Sequence, residues 1–393
     1  MGSRGQAGLG PVAALAAVVA AGIAVAEAQT TASGVARAER GAAPVTTQDA
    51  PSSAWPTAPA HGPKLGGHRF VKRGAGKMYP RDGLMTELKL SAADTAGRLT
   101  YIDEVWYPRF SVRPHFHLEH SETFYVLSGQ VEWTIAGETH NLGAGDLVYI
   151  PPDTPHATRV IGDQDMRTLM IYEPGGHEIH LEDEQRYTAE ERKRPEVFEL
   201  LRAHYDFNPT EMWKPAEAPP LPAPPARPTP GSGPRAVRPV YEAPHPVKHR
   251  FVTKAQGEAF HMDDEVSVVK LSSADTDGRY SLMDEVWKRG MAVPPHYHAA
   301  HNEVFFVMAG RTEWTVGGET QVVGPGDLVY VPAGTVHTVK VIGDEDVHML
   351  FLYNPGGYEY VSRREFQYTP VERKLPAVQE MLRRESDFNP VGR

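Results

Sequence analysis

Two sets of residues in this chain have the types and spacing to hold a metal ion. His115-Phe116-His117 carries two imidazoles, Glu122 follows across a short polar stretch, and His156 closes the set beyond a glycine turn and an apolar run. His296, His298, Glu303 and His337 repeat the same residue types at unchanged spacing. An extended backbone at His115 to His117 projects both imidazoles from one face, where they can reach one ion. Three neutral imidazoles and a carboxylate suit a borderline divalent ion (Mn, Fe, Co, Ni or Cu), one per set, and do not choose among them. The chain has no cysteine, which removes thiolate ligands and argues against a closed structural zinc site. Four protein ligands leave one or two positions for a substrate oxygen, a water or dioxygen, as metal-assisted chemistry requires.

Residues near the two sets read less sharply. His120 and His301 recur two places before each glutamate and are expected to be solvated turn residues rather than fifth ligands. Asp103-Glu104 and Asp284-Glu285 precede Trp106 and Trp287 and are read as structural carboxylates, with a role as pocket acids as the alternative. Phe124 and Val126 share the face of Glu122 on a regular strand, and Phe305 and Val307 correspond to them.

The elements that must position these residues are written twice. His68-Arg69-Phe70-Val71 recurs at His249-Arg250-Phe251-Val252, an offset of 249 − 68 = 181, and Asp206-Phe207-Asn208-Pro209 recurs at Asp387-Phe388-Asn389-Pro390 at the same offset. The gapless duplication delimits domains at residues 67–209 and 248–390. Within each, short strand-like runs such as 122–127, 130–135 and 146–150 alternate with glycine turns, which predicts an all-β sandwich or barrel. Near each end Thr188-Ala189-Glu190-Glu191 and Thr369-Pro370-Val371-Glu372 read as capping boxes, so each barrel is expected to carry a short C-terminal helical cap. Leu200, Leu201, Tyr205, Met381 and Leu382 are expected to pack that cap on the sheet.

Outside the repeats the composition changes. Arg4, an apolar run over residues 12–26 and the A-x-A site Ala26-Glu27-Ala28 read as a signal peptide over residues 1–28, hence a secreted or periplasmic protein with no membrane span in its mature form. Residues 29–66 read as a disordered linker and 210–247 as a proline-rich, extended one. With no cysteine, stability rests on the cores. A net charge of −10 offers no basic field, so nucleic acid is excluded as a partner; a small molecule is expected, and a homo-oligomer stays open.

With the metal residues on the page, each repeat resembles a cupin and the chain a bicupin, which implies two tandem jelly-roll barrels. The first cupin motif, G-x5-H-x-H-x4-E-x6-G, is matched in full from Gly290 to Gly310; in the first repeat Arg109 stands in place of the opening glycine. The second motif is matched from Gly326 to His337, while Asp153 replaces its inner glycine in the first repeat, and Val160 and Val341 replace its closing asparagine. These departures fall on turns and leave the ligands intact.

Among cupins the chain is similar to quercetinase-type flavonol dioxygenases, through the complete ligand set and through Glu173-Pro174-Gly175-Gly176-His177-Glu178 and Asn354-Pro355-Gly356-Gly357-Tyr358-Glu359. That resemblance implies a metal-dependent dioxygenase in which Glu122 and Glu303 are both ligand and general base toward an enolisable substrate. The Pro-Gly-Gly run reads equally well as a strand-ending turn. The alternative is an oxalate decarboxylase-like manganese enzyme, against which Arg113 lies one place too close to His115 and the second repeat has Val293-Pro294-Pro295. A non-catalytic metal-binding cupin comes last, because neither repeat has lost a ligand. The different rims predict two metal sites of unequal activity.

Overall fold

The computed structural model describes residues 67–204, 206–210 and 247–391. The apolar run at 12–26 with its cleavage site, the 29–66 segment, residues 211–246 of the proline-rich linker and Tyr205 lie outside the described residues.

Each repeat folds into two facing antiparallel sheets. In the first, the five-stranded sheet runs Asn208–Pro209, Ser111–Phe116, His156–Val160, Gln130–Ile135 and Glu138–Gly143. The opposing sheet runs Leu147–Ile150, Ser121–Ser128, Met166–Glu173, Thr100–Trp106, Leu84–Leu90 and Lys77–Arg81, and the second repeat follows the same order. This is the expected pair of jelly-roll barrels.

The two sheets of a barrel differ in burial, and their sequences show why. Gln130–Ile135 alternates exposed and buried side chains, as expected of a sheet with one face in water, whereas Leu-Val-Tyr-Ile of Leu147–Ile150 is buried throughout. Apart from its outermost strand (Lys77–Arg81 or Glu258–His261), the larger sheet is buried on both faces because its outer side packs against the larger sheet of the other barrel. Tyr101, Tyr125, Tyr149, Leu169 and Ile171 meet Tyr280, Val304, Phe306, Tyr330 and Leu352 in one apolar layer. Tyr125 donates to Asp284 at 2.7 Å and Arg279 to Glu173 at 2.7 Å across this layer, while the hydroxyls of Tyr149 and Tyr330 are buried there without a hydrogen-bond partner.

The barrels also exchange an edge. Arg69–Val71 pairs with Leu328–Val331 of the second barrel (Arg69 opposite Tyr330), and Arg250–Val252 pairs with Leu147–Ile150 of the first (Arg250 opposite Tyr149). Each larger sheet therefore reaches seven strands only by taking one from the other repeat.

Both capping boxes form, at Thr188 and Thr369, and each cap proves to be three short helices: His177–Glu184, Ala189–Arg192 and Pro195–His204, matched by Glu359–Glu365, Pro370–Arg373 and Pro376–Glu385. Leu201 and Leu382 are buried beneath them. The two substituted turn glycines keep their turns. Arg109 and Asp153 sit at φ 73° and 59°, close to the 82° and 79° of Gly290 and Gly334, so the first repeat holds L side chains in a left-handed conformation that favours glycine.

Candidate metal centres

In each barrel the two sheets bring their metal-type residues together from opposite sides. His115 ends the strand Ser111–Phe116, His117 follows it, and His156 opens the neighbouring strand His156–Val160, directly across from His115. Glu122 comes from Ser121–Ser128 of the facing sheet. One ligand atom from each of the four lies within 4.8 Å of all the others. Glu122 stands 3.4 Å from His117 Nε2 and 2.9 Å from His156 Nε2. In the second barrel His296, His298 and His337 meet the same 4.8 Å limit. Glu303 stands 3.3 Å from His298 and 3.0 Å from His337, yet falls outside that limit for the set as a whole.

The donor atoms fit a divalent ion. Nε2 of His117 and of His156, Oε2 of Glu122 and Oε2 of Glu303 are buried with no hydrogen-bond partner, a costly arrangement unless a cation satisfies them. Of the opposite ring nitrogens, Nδ1 of His298 is buried without a hydrogen-bond partner, and the others are anchored. His115 Nδ1 donates to Arg113 O at 2.8 Å, His156 Nδ1 to Thr154 O at 2.8 Å, His296 Nδ1 to Pro294 O at 2.8 Å and His337 Nδ1 to Thr335 O at 3.0 Å. A proton held on Nδ1 leaves the Nε2 lone pair for the ion.

Electrostatics point the same way. Burial, with His156 beside it, holds His115 down to about 3, and burial with His337 does the same for His296. Burial also opposes protonation of His117 and His298, but Glu122 and Glu303 outweigh it and raise both. Burial alone would raise the two glutamates; their histidine neighbours outweigh it and hold both well below the usual range. Each centre is thus an ionised carboxylate among imidazoles.

The repeated Asp-Phe-Asn-Pro segment, singled out in the sequence only as a marker of the duplication, clamps the ligands. Asp206 accepts from the backbone N–H groups of Leu118 and Glu119 at 2.7 Å each, and its carbonyl accepts from His117 Nδ1 at 2.6 Å. Phe207 stacks on His115 at 4.0 Å, and Phe388 on His296 at 4.1 Å. His120 and His301 are not the solvated residues expected. They bond Asp206 and Asp387 at 3.1 and 3.0 Å, and His301 is 1% exposed. The aspartates lie 86 residues further along the chain, so nothing near either histidine announces its burial.

Glu104 and Glu285 turn out to be the pocket acids, while Asp103 and Asp284 point the other way, to Arg167 and His348. Their settings differ. Glu104 accepts from Thr86, Trp106 and, at 2.7 Å, the guanidinium of Arg81. Glu285 accepts from Ser267 and Trp287 at 2.9 and 2.8 Å, and Met262 occupies the sequence position of Arg81. Burial pushes Glu285 up to about 7, and burial together with Glu285 and Glu365 pushes Glu265 well above the carboxylate range.

Access differs as well. The second centre opens into a cavity of about 600 Å³, whereas the space at the first is about 110 Å³. Arg113 lies over Phe198 at 4.9 Å, Phe198 meets Phe207 edge-on, and these three border two outer cavities of about 500 and 320 Å³, the smaller of which shares Arg81, Leu84, Phe110, Val112, His180 and Phe207 with the first centre's pocket. In the second barrel Pro294 and Gln379 replace Arg113 and Phe198, and Val361 replaces His180. The expected wall residues Phe124 and Phe305 line the cavities; Val126 and Val307 lie in the cores.

The Pro-Gly-Gly runs serve packing first. A Cβ on Gly175 would lie 2.7 Å from Leu99 backbone, and one on Gly356 2.8 Å from Tyr280 backbone. Glu178 and Glu359 are buried and accept from the backbone of Ala92 and Ser273 at 2.7 Å. The run still reaches the site, because His177 stacks on Tyr172 at 3.9 Å and Tyr358 on Tyr353 at 4.0 Å, all four at the cavity walls.

Comparison with known proteins agrees with this geometry. The Cupin domain family model matches twice, over residues 104–172 and 283–353. Quercetin 2,3-dioxygenase of Bacillus subtilis is 28% identical over 257 residues, 62% of this chain and 70% of that protein. An uncharacterized protein of Streptomyces coelicolor is 34% identical over 111 residues, 25% of this chain and 96% of that protein. Among solved structures, the oxalate decarboxylase of Lactobacillus farciminis in its formate complex is similar with a TM-score of 0.49 at 17% identity, over 78% of this chain and 96% of that one. Two jelly-roll barrels, a doubled three-histidine, one-glutamate centre and a family match in each repeat lead to one assignment: the chain is a bicupin of the cupin superfamily.

Proposed function

We propose that this bicupin is a metal-dependent dioxygenase of the quercetinase type, acting on an enolisable, flavonol-like aromatic substrate. The observation that carries the reading is the second centre, where Glu303, with no hydrogen-bond partner at Oε2, faces a cavity of about 600 Å³ walled by Trp287, Phe305, Trp314, Phe351 and Tyr358. That size lies within the ~300–1,000 Å³ typical of sites for ring-bearing ligands, and aromatic walls suit a planar guest. Similarity to quercetin 2,3-dioxygenase supports it.

A divalent ion held by His296, His298, His337 and Glu303 would supply the electron-poor centre that binds a substrate oxygen and engages dioxygen. Glu303 accepts the enol proton as general base, and its position 3.0 Å from His337 and 3.3 Å from His298 keeps the carboxylate ionised until then. The aromatic walls exclude water from the anion that forms. Metal analysis and oxygen uptake with quercetin test the reading: two ions per chain and uptake are expected, and a metal-free protein or absence of uptake refutes it.

A specific observation favours a second reading for the first centre. Its cavity of about 110 Å³, with Arg81 in the wall, suits a ligand of a few heavy atoms, as oxalate decarboxylase-like manganese chemistry requires. Carbon dioxide release from oxalate, lost in Glu122→Ala, is the measurement that would establish it. The proposal includes export through residues 1–28, which N-terminal sequencing of the mature protein checks.

A further inference from the structure

The two barrels share a ligand set, yet their acids above the metal are treated oppositely. In the first, Glu104 pairs with Arg81, which also bonds Glu184 at 3.1 Å, and the space at the centre is about 110 Å³. In the second, the arginine is replaced by Met262, and Leu84 is replaced by a further acid, Glu265. Glu285, 5% exposed, and Glu265 line the same cavity as the unpartnered Oε2 of Glu303. Ser267 and Trp287 each bond one oxygen of Glu285, which leaves both oxygens with lone-pair capacity and no cation. A buried carboxyl with capacity to spare, in a cavity shared with a metal centre, is a recognition group for a hydrogen-bonding ligand.

We propose that the second barrel is the ring-binding centre of this protein, and that Glu285 fixes a polyhydroxylated aromatic ligand there by hydrogen-bonding a ring hydroxyl other than the one bound at the metal. The first centre, with a space of about 110 Å³, is too small for such a ring system. This assignment rests on the flavonol-type reading of the site and adds to it which centre, which wall residue and which substituent pattern. Glu285 is a specificity-determining residue; the proton-accepting role stays with Glu303.

The test uses full-length, metal-loaded protein and two probes, quercetin and 3-hydroxyflavone, which keeps the enol and lacks the other hydroxyls. Binding is followed anaerobically by quenching of tryptophan fluorescence, since Trp287 and Trp314 border the cavity. One quercetin per chain is expected. Glu285→Gln preserves the shape and should weaken quercetin about tenfold, a hydrogen bond's worth, with under twofold effect on 3-hydroxyflavone. Met262→Arg, which puts a guanidinium at the sequence position of Arg81, should weaken quercetin in the same direction. Two quercetins per chain, equal losses for both probes, or an unchanged quercetin affinity in both Glu285→Gln and Met262→Arg would overturn the proposal, as would absence of binding. Single-site binding that depends on Glu285 without any oxygen uptake would sink the dioxygenase reading and leave the binding assignment standing.

Discussion

The first centre and the second hold the same four residues on the same strands, and they differ in almost everything placed around them. At the first, an arginine and two phenylalanines stand packed together at the rim, the space at the metal residues is about 110 Å³, and an arginine pairs with the pocket acid. At the second, proline and glutamine leave the approach open and the pocket acid stands without a cation. Metal binding is thus separable from substrate access. The ligand set comes from strand positions that the duplication preserved, while access is decided by cap-helix and rim residues that face no structural test when they change.

The largest effect that can break this comparison is on turnover. Glu303→Ala should lower oxygen uptake with quercetin by about 10²–10⁴-fold, the range for losing a general base, while Glu122→Ala changes it less than twofold. Equal losses would mean both centres turn over and would end the division of labour.

Stability against pH separates the acids next. In metal-free protein Glu285 is raised from 4.5 to about 7, so between those values the native state holds a proton that the unfolded chain has released. Its contribution is present below pH 4.5 and is lost as pH rises through 7, by on the order of 3 kcal/mol. Denaturant titrations should show Glu285→Gln flattening that decline. A parent protein whose stability does not fall across the window would show that Glu285 is paired after all.

Removing the ions should cost each barrel separately. At metal concentrations about 100-fold above Kd the bound ion contributes ~2.7 kcal/mol, so chelation should lower the melting temperature and metal should restore it. His156→Ala should then retain one ion per chain and His337→Ala the other. Either variant losing both ions would show that the centres are coupled through the shared apolar layer.

The smallest effect concerns the rim turns. Arg109→Gly should stabilise the first barrel by about 1 kcal/mol, since its φ of 73° disfavours an L side chain, whereas Gly290→Arg should cost a similar amount. Equilibrium unfolding of the two variants measures the difference, and no gain for Arg109→Gly would show that the arginine's own contacts offset its strain.

How much of this the sequence carried depends on where each cause lies. The ligands were readable because imidazole and carboxylate chemistry is written in residue identity, and because the offset of 181 presented the set twice. The barrels were readable from short strands between glycine turns. The buried His301 was not, because Asp387 reaches it from the far end of the repeat. The unequal cavities were not either: Phe198 against Gln379 looks like an ordinary helix-surface change until the cap is folded over the barrel mouth. Nor could three residues, Arg-Phe-Val, disclose which sheet edge they join.

That exchanged edge bears on how the molecule is made. The first repeat is complete in sequence well before Arg250–Val252 leaves the ribosome, so its sheet waits with the outer edge of Leu147–Ile150 unpaired until the second repeat begins to emerge. The strand Arg69–Val71, synthesised earliest of the described elements, in turn waits for Leu328–Val331. Each half thus holds a sheet edge open for a strand of the other. The present chain is what results when such a reciprocal pair is joined end to end: the linker replaces an encounter between molecules with a local search, and neither barrel's larger sheet is complete until the other repeat has been made.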